Sequence, residues 1–286
     1  MSLTVHAPAK INLTLDVTGR RADGYHTLTS IFQTVSRYDT VTLTKTTAGA
    51  TLETPGGAPC PPEKNTAYRA AQAFFAHTGI AGGVALTLTK RIPQQAGMGG
   101  GSADGAAVLA GLDRLYDTHL SPETLRAMAA AIGADVPFCL VGGTALVQGI
   151  GEQVEPLSPL PPVSVVIAQP SERVDTAAAY RALDCSPIRH RPDHPAALAA
   201  LRENDPAALW EQMVNVFEPA LALPGVAAIR REMAAFAPLA SQMTGSGSAV
   251  FGLFSDPRTA QRCAARLAEQ FPVAFVCAPC AGMIFE

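Results

Sequence analysis

The chain has 286 residues, of which 48% are hydrophobic and 16% are charged, and its formal net charge at pH 7 is −3. This length suits one large domain or two smaller ones, and the apolar content excludes an intrinsically disordered chain. The slightly acidic balance disfavours a nucleic-acid binder, which usually carries a basic patch. The longest apolar runs, such as residues 163–168, are too short to cross a bilayer, and the first residues lack the features of a leader. We therefore expect a cytoplasmic protein with no membrane partner.

The six cysteines are scattered, and in a cytoplasmic chain we expect free thiols. Cys277 and Cys280 form a single CxxC pair, whereas a zinc site normally needs a second pair. His190 and His194 lie in a proline-interrupted stretch that predicts a solvated loop and not a metal site. The sequence therefore predicts no protein ligands for a metal ion.

Strands and helices are predicted in the first half of the chain from its hydrophobic periodicity. Alternating apolar and polar side chains predict a half-buried strand at residues 11–18 and a strand at residues 84–88. Further strands are predicted at residues 28–35, 40–46 and 143–148. Capping residues and apolar periodicity predict helices, which cover residues 67–77 after Asn65, 103–116, and 122–133 after Ser121. Residues 47–63 are rich in glycine and proline and predict a loop.

The second half begins after a cluster of four prolines between residues 156 and 162, which predicts a linker. We therefore expect two domains, residues 1–158 and residues 159–286. The elements predicted beyond the linker are strands at 163–168, 249–254 and 273–277, a helix-rich stretch at 175–236 and a helix at 257–270. Because strands cluster and do not alternate regularly with helices, the pattern favours an α+β fold over a doubly wound sheet.

A glycine-rich loop, residues 97–102, lies between a predicted strand and a predicted helix. Glycine allows positive φ and a close approach of the backbone to a ligand, and the helix N-terminus adds partial positive charge. The loop therefore predicts a phosphate site, with a tight turn as the alternative. It is not a Walker A motif, because no Gly-Lys-Ser/Thr follows, and it lacks the spacing of a dinucleotide-binding fingerprint.

Three ordered segments resemble motifs 1, 2 and 3 of the galactokinase, homoserine kinase, mevalonate kinase and phosphomevalonate kinase superfamily, the GHMP kinases. They are PAKINL at residues 8–13, the glycine loop, and MTGSGSAVF at residues 243–251. Residues 20–26 (RRADGYH) and 133–138 (GADVPF) resemble the members that phosphorylate a cytidine-diphosphate-linked polyol in the non-mevalonate isoprenoid pathway. The resemblance implies two α+β domains, a ribosomal-protein-like N-terminal domain and a ferredoxin-like C-terminal domain. It also implies that the cofactors are ATP and Mg²⁺.

The resemblance implies that Asp135 is the general base that takes a proton from the 2-hydroxyl of the acceptor. It further implies that Lys10 stabilises the negative charge on the attacking oxygen. Taken alone, the same residues permit other interpretations. Asp135 would suit a helix cap before Pro137, and Lys10 would suit a solvated strand edge.

The nucleotide is assigned by resemblance to the loop, its approach and one capping residue, which are Pro93, Gln94, Gln95, Ala96, Gly97, Met98, Gly99, Gly100, Gly101, Ser102, Ala103 and Asn65. Ser102 would offer its hydroxyl to a phosphate or to its magnesium. The substrate is assigned to Asn12, Tyr25, His26, Thr176 and Tyr180. Tyr25 and His26 would stack on and hydrogen-bond a cytosine, with Tyr180 as the opposite face. The alternatives are an outward strand residue for Asn12, helix core for Tyr180 and a simple cap for Asn65.

Two other functions remain open at this point. One is a kinase of the same superfamily that acts on homoserine or mevalonate. The other is a nucleotide-sensing or RNA-binding module, against which the acidic charge balance speaks. We expect a small-molecule substrate, no nucleic-acid partner, and a monomer or a weak homodimer.

Overall fold

The computed structural model describes residues 1–56 and 60–286. Its strands are β1 (Ser2–Arg20), β2 (His26–Thr46), β3 (Gly49–Glu53), β4 (Gly83–Thr89), β5 (Thr144–Gly149), β6 (Gln153–Pro156), β7 (Ser164–Gln169), β8 (Ala240–Met243), β9 (Val250–Phe254), β10 (Val273–Cys277) and β11 (Ile284–Phe285). Its helices are α1 (Thr66–Thr78), α2 (Gly100–Tyr116), α3 (Pro122–Ile132), α4 (Val136–Val141), α5 (Thr176–Asp184), α6 (His194–Glu203), α7 (Pro206–Glu211), α8 (Phe217–Leu221), α9 (Pro224–Ala234) and α10 (Pro257–Ala268). A short 3₁₀ helix covers Pro62–Lys64.

The first sheet is built on the long antiparallel pair β1 and β2, with strand order β11-β1-β2-β4-β3. The predicted strands at 28–35 and 40–46 are one continuous strand, because β2 passes through a β-bulge opposite Pro8 and Ala9 without ending. Its first half pairs with β5 and its second half pairs with β4. Helices α1 to α4 cover this sheet and enclose the first core.

Strand β1 is buried on both faces, so the expectation of a half-buried strand was wrong. The apolar set at Ile11 and Leu13 lies in the first core, as the alternation predicts. The polar side chains between and beside them, Lys10 and Asn12, are also buried, at 4% and 1% exposure. The Lys10 ammonium donates a hydrogen bond to the side chain of Asn12, which also accepts one from the Thr244 hydroxyl. These hydrogen bonds offset the cost of removing the polar groups from water.

The second sheet is antiparallel, with strand order β10-β7-β9-β8. Helices α5 to α9 connect β7 to β8, and α10 connects β9 to β10. This βαββαβ arrangement is the predicted ferredoxin-like fold. Helix α10 illustrates its formation: Asp256 caps the first turn, and the residues buried against the sheet recur at helical spacing, namely Ala260, Cys263, Ala264 and Leu267.

Several elements lie where the sequence predicted none. Strand β3 lies within the predicted loop at 47–63, and β6, β8 and β11 were also missed. His194, predicted to lie in a loop, begins α6 and is half-buried. Residue 158 falls between β6 and β7, while β11 returns to pair with β1, so the domain boundary stays a prediction. Within residues 1–56 and 60–286, no helix has the length and hydropathy needed to cross a membrane.

Candidate active site

A cavity of about 820 Å³ lies where the glycine loop, β1 and the start of α5 meet. This volume is in the range of small-molecule sites. Most of the predicted site residues line it: Lys10, Asn12, Asn65, Pro93, Gln94, Gln95, Ala96, Gly97, Met98, Gly99, Gly100, Gly101, Asp135, Thr176 and Tyr180. Sequence segments that are far apart along the chain therefore converge on one space.

Lys10 and Asp135 face each other inside this cavity. The Nζ atom of Lys10 lies 3.5 Å from Oδ2 of Asp135 and donates a hydrogen bond of 2.8 Å to Oδ1 of Asn12. Lys10 is 4% exposed, pairs with Thr34 of β2 and donates its backbone N–H to the Met98 carbonyl, which excludes the solvated-edge interpretation. Asp135 occupies the N-cap position of α4, but its side chain makes no capping hydrogen bond. Its carboxylate is instead available to the cavity.

Asn12 joins Lys10 to the second domain. Its Oδ1 atom accepts hydrogen bonds from the Gly245 N–H at 2.9 Å and from the Thr244 hydroxyl at 3.2 Å, in addition to Lys10. Its Nδ2 atom donates to the Ser30 hydroxyl at 3.0 Å. The interpretation of Asn12 as an outward strand residue is thus excluded. Motif 3 supports the side chain that orients the Lys10 ammonium.

The glycine loop has the backbone that its sequence predicts. Gly97 and Gly99 have φ of +73° and +69°, and α2 begins at Gly100, one residue after the Gly99 N-cap. A Cβ atom on Gly97 would lie 2.1 Å from the Thr244 carbonyl oxygen, so motif 3 touches the loop directly. A Cβ on Gly99 would lie 2.9 Å from Cγ of Lys10. Only glycine permits these approaches, which bring the N-terminus of α2 beside the catalytic candidates.

Four of the predicted residues lie outside the cavity lining. Ser102 and Ala103 lie in the first turn of α2, where Ala103 is buried, because the helix begins three residues earlier than predicted. Tyr25 is 63% exposed. The Nε2 atom of His26 donates a 2.7 Å hydrogen bond to Oδ1 of Asp184, and the His26 ring stacks directly on Tyr180.

The stack of His26 on Tyr180 differs from the predicted arrangement. The ring centroids are 4.6 Å apart with an interplanar angle of 20°. A base held between two rings needs a separation of about 7 Å, twice the van der Waals contact distance. The two rings are therefore too close together to hold a base between them. Burial and the charge of Asp135 raise the pKa of Tyr180 to about 12, so its hydroxyl stays protonated.

Sequence reasoning missed a charged cluster under the loop. Lys90 Nζ bonds to carboxylates of both Asp39 and Asp104, and Asp39 also accepts the backbone N–H of Ile92 at 2.8 Å. Burial raises the pKa of Asp104 to about 8, against the opposing pull of the Lys90 ammonium. Burial lowers the pKa of Lys90, but the two carboxylates outweigh it and raise the pKa overall. A signal existed: Asp104 is a charged residue on the apolar face of a predicted helix.

The chain matches known families along most of its length. The GHMP kinases N terminal domain matches residues 65–143, and the GHMP kinases C terminal domain matches residues 197–273. A protein of Moorella thermoacetica named 4-diphosphocytidyl-2-C-methyl-D-erythritol kinase is 45% identical over 96% of this chain and 98% of its own. A relative of the same name from Caldicellulosiruptor saccharolyticus is 41% identical over 93% of this chain and 92% of its own.

Solved structures agree with these matches. A crystal structure of 4-(cytidine 5'-diphospho)-2C-methyl-D-erythritol kinase has a TM-score of 0.82 and 37% identity, covering 96% of this chain and 98% of that one. Homoserine kinase from Cytophaga hutchinsonii has a TM-score of 0.78 at 22% identity, covering 100% of this chain and 97% of that one, which shows a shared fold. This chain is a GHMP kinase and belongs to the 4-diphosphocytidyl-2-C-methyl-D-erythritol kinase family.

Proposed function

We propose that this chain transfers the γ-phosphoryl group of ATP to the 2-hydroxyl of 4-diphosphocytidyl-2-C-methyl-D-erythritol, a step in the non-mevalonate supply of isoprenoid precursors. The names of its relatives support the substrate. The observation that carries the chemistry is that Lys10 and Asp135 share one cavity with the glycine loop. A base, a cation and an anion cradle are the parts that phosphoryl transfer requires.

Asp135 would accept the proton of the 2-hydroxyl as that oxygen attacks the γ-phosphorus and the bond to the ADP oxygen breaks. Its separation of 3.5 Å from Lys10 is longer than a direct charge-assisted hydrogen bond of about 2.7–2.9 Å. The carboxylate, whose side chain is 28% exposed, is therefore not fully engaged by the ammonium. Lys10, fixed by Asn12, would stabilise the charge that develops on the attacking oxygen.

The glycine loop would hold the ATP phosphates. The N–H groups at the start of α2 lack partners within the helix and carry the positive end of its dipole. Asn65, which caps α1 with its side chain and also lines the cavity, would approach the adenosine end. Gln94 and Gln95 form the approach to the loop, and we propose that they contact the nucleotide through their backbone.

Magnesium would be held mainly by the ATP phosphates. Among the residues that the structure describes, no group of three or more His, Cys, Asp or Glu side chains forms a metal site. Kinase sites commonly bind Mg²⁺ through one or two carboxylates and the substrate phosphates, and the cavity offers the carboxylate of Asp175 for this role, which leaves Asp135 to act as the base. The ion supplies neutralisation of the phosphate charge when bound.

The acceptor would place its cytidine end near Thr176 and Tyr180. Both line the cavity, and Thr176 shares a 3.2 Å hydrogen bond with Ser246 of motif 3. For cytosine to stack on Tyr180 from the side that His26 occupies, the two rings must separate by about 2–3 Å. Tyr25 is exposed and would close over the base from the loop.

A substrate panel tests the proposal. The purified protein is assayed with ATP and Mg²⁺ against 4-diphosphocytidyl-2-C-methyl-D-erythritol, the same polyol phosphate without the cytidine group, homoserine and mevalonate. We expect turnover with the first compound and loss of at least about two orders of magnitude in kcat/KM without the cytidine group. A folded, ATP-binding protein that turns over homoserine or mevalonate but not the cytidine compound would contradict the proposal.

A further inference from the structure

Two buried glutamines of the second sheet hold backbone segments that form the active site. Gln169, at the end of β7, donates both hydrogens of its Nε2 to the carbonyl oxygens of Gln94 and Gln95, at 3.1 Å and 3.2 Å. Gln242, on β8, donates in the same way to the carbonyl oxygens of Asn12 and Leu13, at 2.9 Å each. Both glutamines are buried, with exposures of 0% and 3%. Each therefore fixes two successive peptide units across the boundary between the two sheets.

The segments that they hold are the ones on which the chemistry depends. Gln94 and Gln95, which we call the loop entrance, lead directly into Gly97 and the phosphate cradle. Asn12 carries the oxygen that binds the Lys10 ammonium. A shift of either segment by a few tenths of an ångström would change the distance between the phosphate cradle and the Lys10 ammonium.

The loop entrance needs an external support. Gln95 has a φ of +52°, in the left-handed region that residues other than glycine seldom adopt. Its own carbonyl and that of Gln94 are the acceptors of Gln169. The guanidinium of Arg173 adds a third hydrogen bond, 3.1 Å, to the Gln94 carbonyl. The unfavourable backbone is thus held from the second domain.

The acceptor atoms of both glutamines reduce the net stability that each side chain contributes. In the part of the chain that the structure describes, Oε1 of Gln169 and Oε1 of Gln242 are buried with no hydrogen-bond partner. A buried acceptor without a donor costs free energy, which offsets part of the stability that the two donated hydrogen bonds of each glutamine contribute. What an apolar residue could not supply is the paired N–H groups.

We propose that Gln169 and Gln242 are positioning residues, Gln169 for the nucleotide loop and Gln242 for the Lys10–Asn12 strand. The consequence for turnover rests on the proposed function, whereas the consequence for ATP binding does not. Gln169 acts on the affinity for ATP because it fixes the entrance of the cradle. Gln242 acts on the rate of phosphoryl transfer because it fixes the strand that presents the cation.

The chain supplies a matched control for this inference. Gln33 is buried at 2% exposure, and its Nε2 also donates to two carbonyl oxygens, those of Thr34 at 2.8 Å and Cys280 at 3.3 Å. These carbonyls belong to β2 and the C-terminal segment and not to the cavity lining. Gln33→Met therefore removes the same pair of donated hydrogen bonds at similar burial, together with the 2.6 Å bond that Gln33 Oε1 accepts from the Thr144 hydroxyl, and it does so away from the site.

The test compares Gln169→Met, Gln242→Met and Gln33→Met with the parent protein. ATP affinity is measured by calorimetry without the acceptor, and kcat is measured at saturating ATP and acceptor. We expect Gln169→Met to weaken ATP binding at least about fivefold and to leave kcat within about twofold, the order expected from lost hydrogen bonds. We expect Gln242→Met to lower kcat at least about fivefold with ATP affinity within about twofold.

Gln33→Met is expected to lower the melting temperature while leaving ATP affinity and kcat within about twofold of the parent. Parental ATP affinity in Gln169→Met, parental kcat in Gln242→Met, or equal kinetic losses in Gln33→Met would each overturn the inference. If Gln169→Met does not fold, Gln169→Asn, which keeps the amide but withdraws it by one methylene, takes its place with the same expected result. A parent that binds ATP but does not phosphorylate the acceptor would refute the proposed function and leave the Gln169 arm intact.

Discussion

Replacing Gly97 by alanine is expected to destabilise the protein and to weaken ATP binding together. Gly97 has a φ of +73°, and an added Cβ would lie 2.1 Å from the Thr244 carbonyl oxygen and 3.2 Å from Cα of Gly245. Left-handed backbone costs a residue with a Cβ about 1–2 kcal/mol, and forcing an extra methyl against packed backbone costs about 1–3 kcal/mol more. The free energy of unfolding should fall by about 2–5 kcal/mol.

Gly79→Ala separates the two contributions. Gly79, the C-cap of α1, has a φ of +65°, and an added Cβ there would meet nothing within 4 Å. This variant should lose only the conformational part, about 1–2 kcal/mol, and bind ATP normally. Urea unfolding of both variants gives the free energies, and calorimetry gives the ATP affinity. If Gly97→Ala were no less stable than Gly79→Ala and bound ATP as the parent does, the contact between the loop and motif 3 would have no energetic importance.

Three further outcomes follow from individual side chains. Asp104→Asn should become more stable relative to the parent as the pH rises from about 4 to 8. In this range the folded parent keeps a proton on Asp104 that the unfolded chain has released, so the free energy of unfolding of the parent falls with pH while that of the variant lacks this dependence. Melting temperatures at pH 5 and pH 8.5 measure this, and a difference that does not change with pH would contradict it. Asn65→Ser, which keeps a capping oxygen, should have a free energy of unfolding within about 0.5 kcal/mol of the parent. A reduced ATP affinity in this variant would therefore report a lost nucleotide contact and not a lost helix cap. Tyr180→Leu should raise KM for the cytidine acceptor about tenfold while Tyr180→Phe should not, and equal effects would argue against stacking.

The local signals in the sequence predicted the parts of the site that local structure determines. Asn65 and Ser121 cap helices as expected, because their side-chain oxygens accept N–H groups only two or three residues ahead. The glycine loop has positive φ at the positions where glycine allows it. Whether Asp135 caps α4 was harder to predict, because an aspartate before a short helix is typical of a cap and only the structure shows that no capping bond forms.

The parts that sequence could not predict depend on contacts between distant residues. Asp39 and Lys90 are 51 residues apart, and Gln242 and Asn12 are 230 residues apart, so no periodicity or spacing relates them. The missed strand β3 alternates exposed and half-buried residues and is held by parallel pairing with β4 and not by a buried apolar face of its own. The stack of His26 on Tyr180 joins two domains and depends on how they meet.

The most direct test of the central claim is the turnover of Asp135→Asn. The substitution keeps the size of the side chain beside Lys10 but removes its ability to accept a proton. With ATP and 4-diphosphocytidyl-2-C-methyl-D-erythritol at saturation, kcat should fall at least about a hundredfold, while calorimetric ATP affinity stays within about threefold of the parent. A variant that binds ATP normally and retains a near-parental kcat would show that Asp135 is not the base, and the chemistry assigned to the Lys10–Asp135 pair would be wrong.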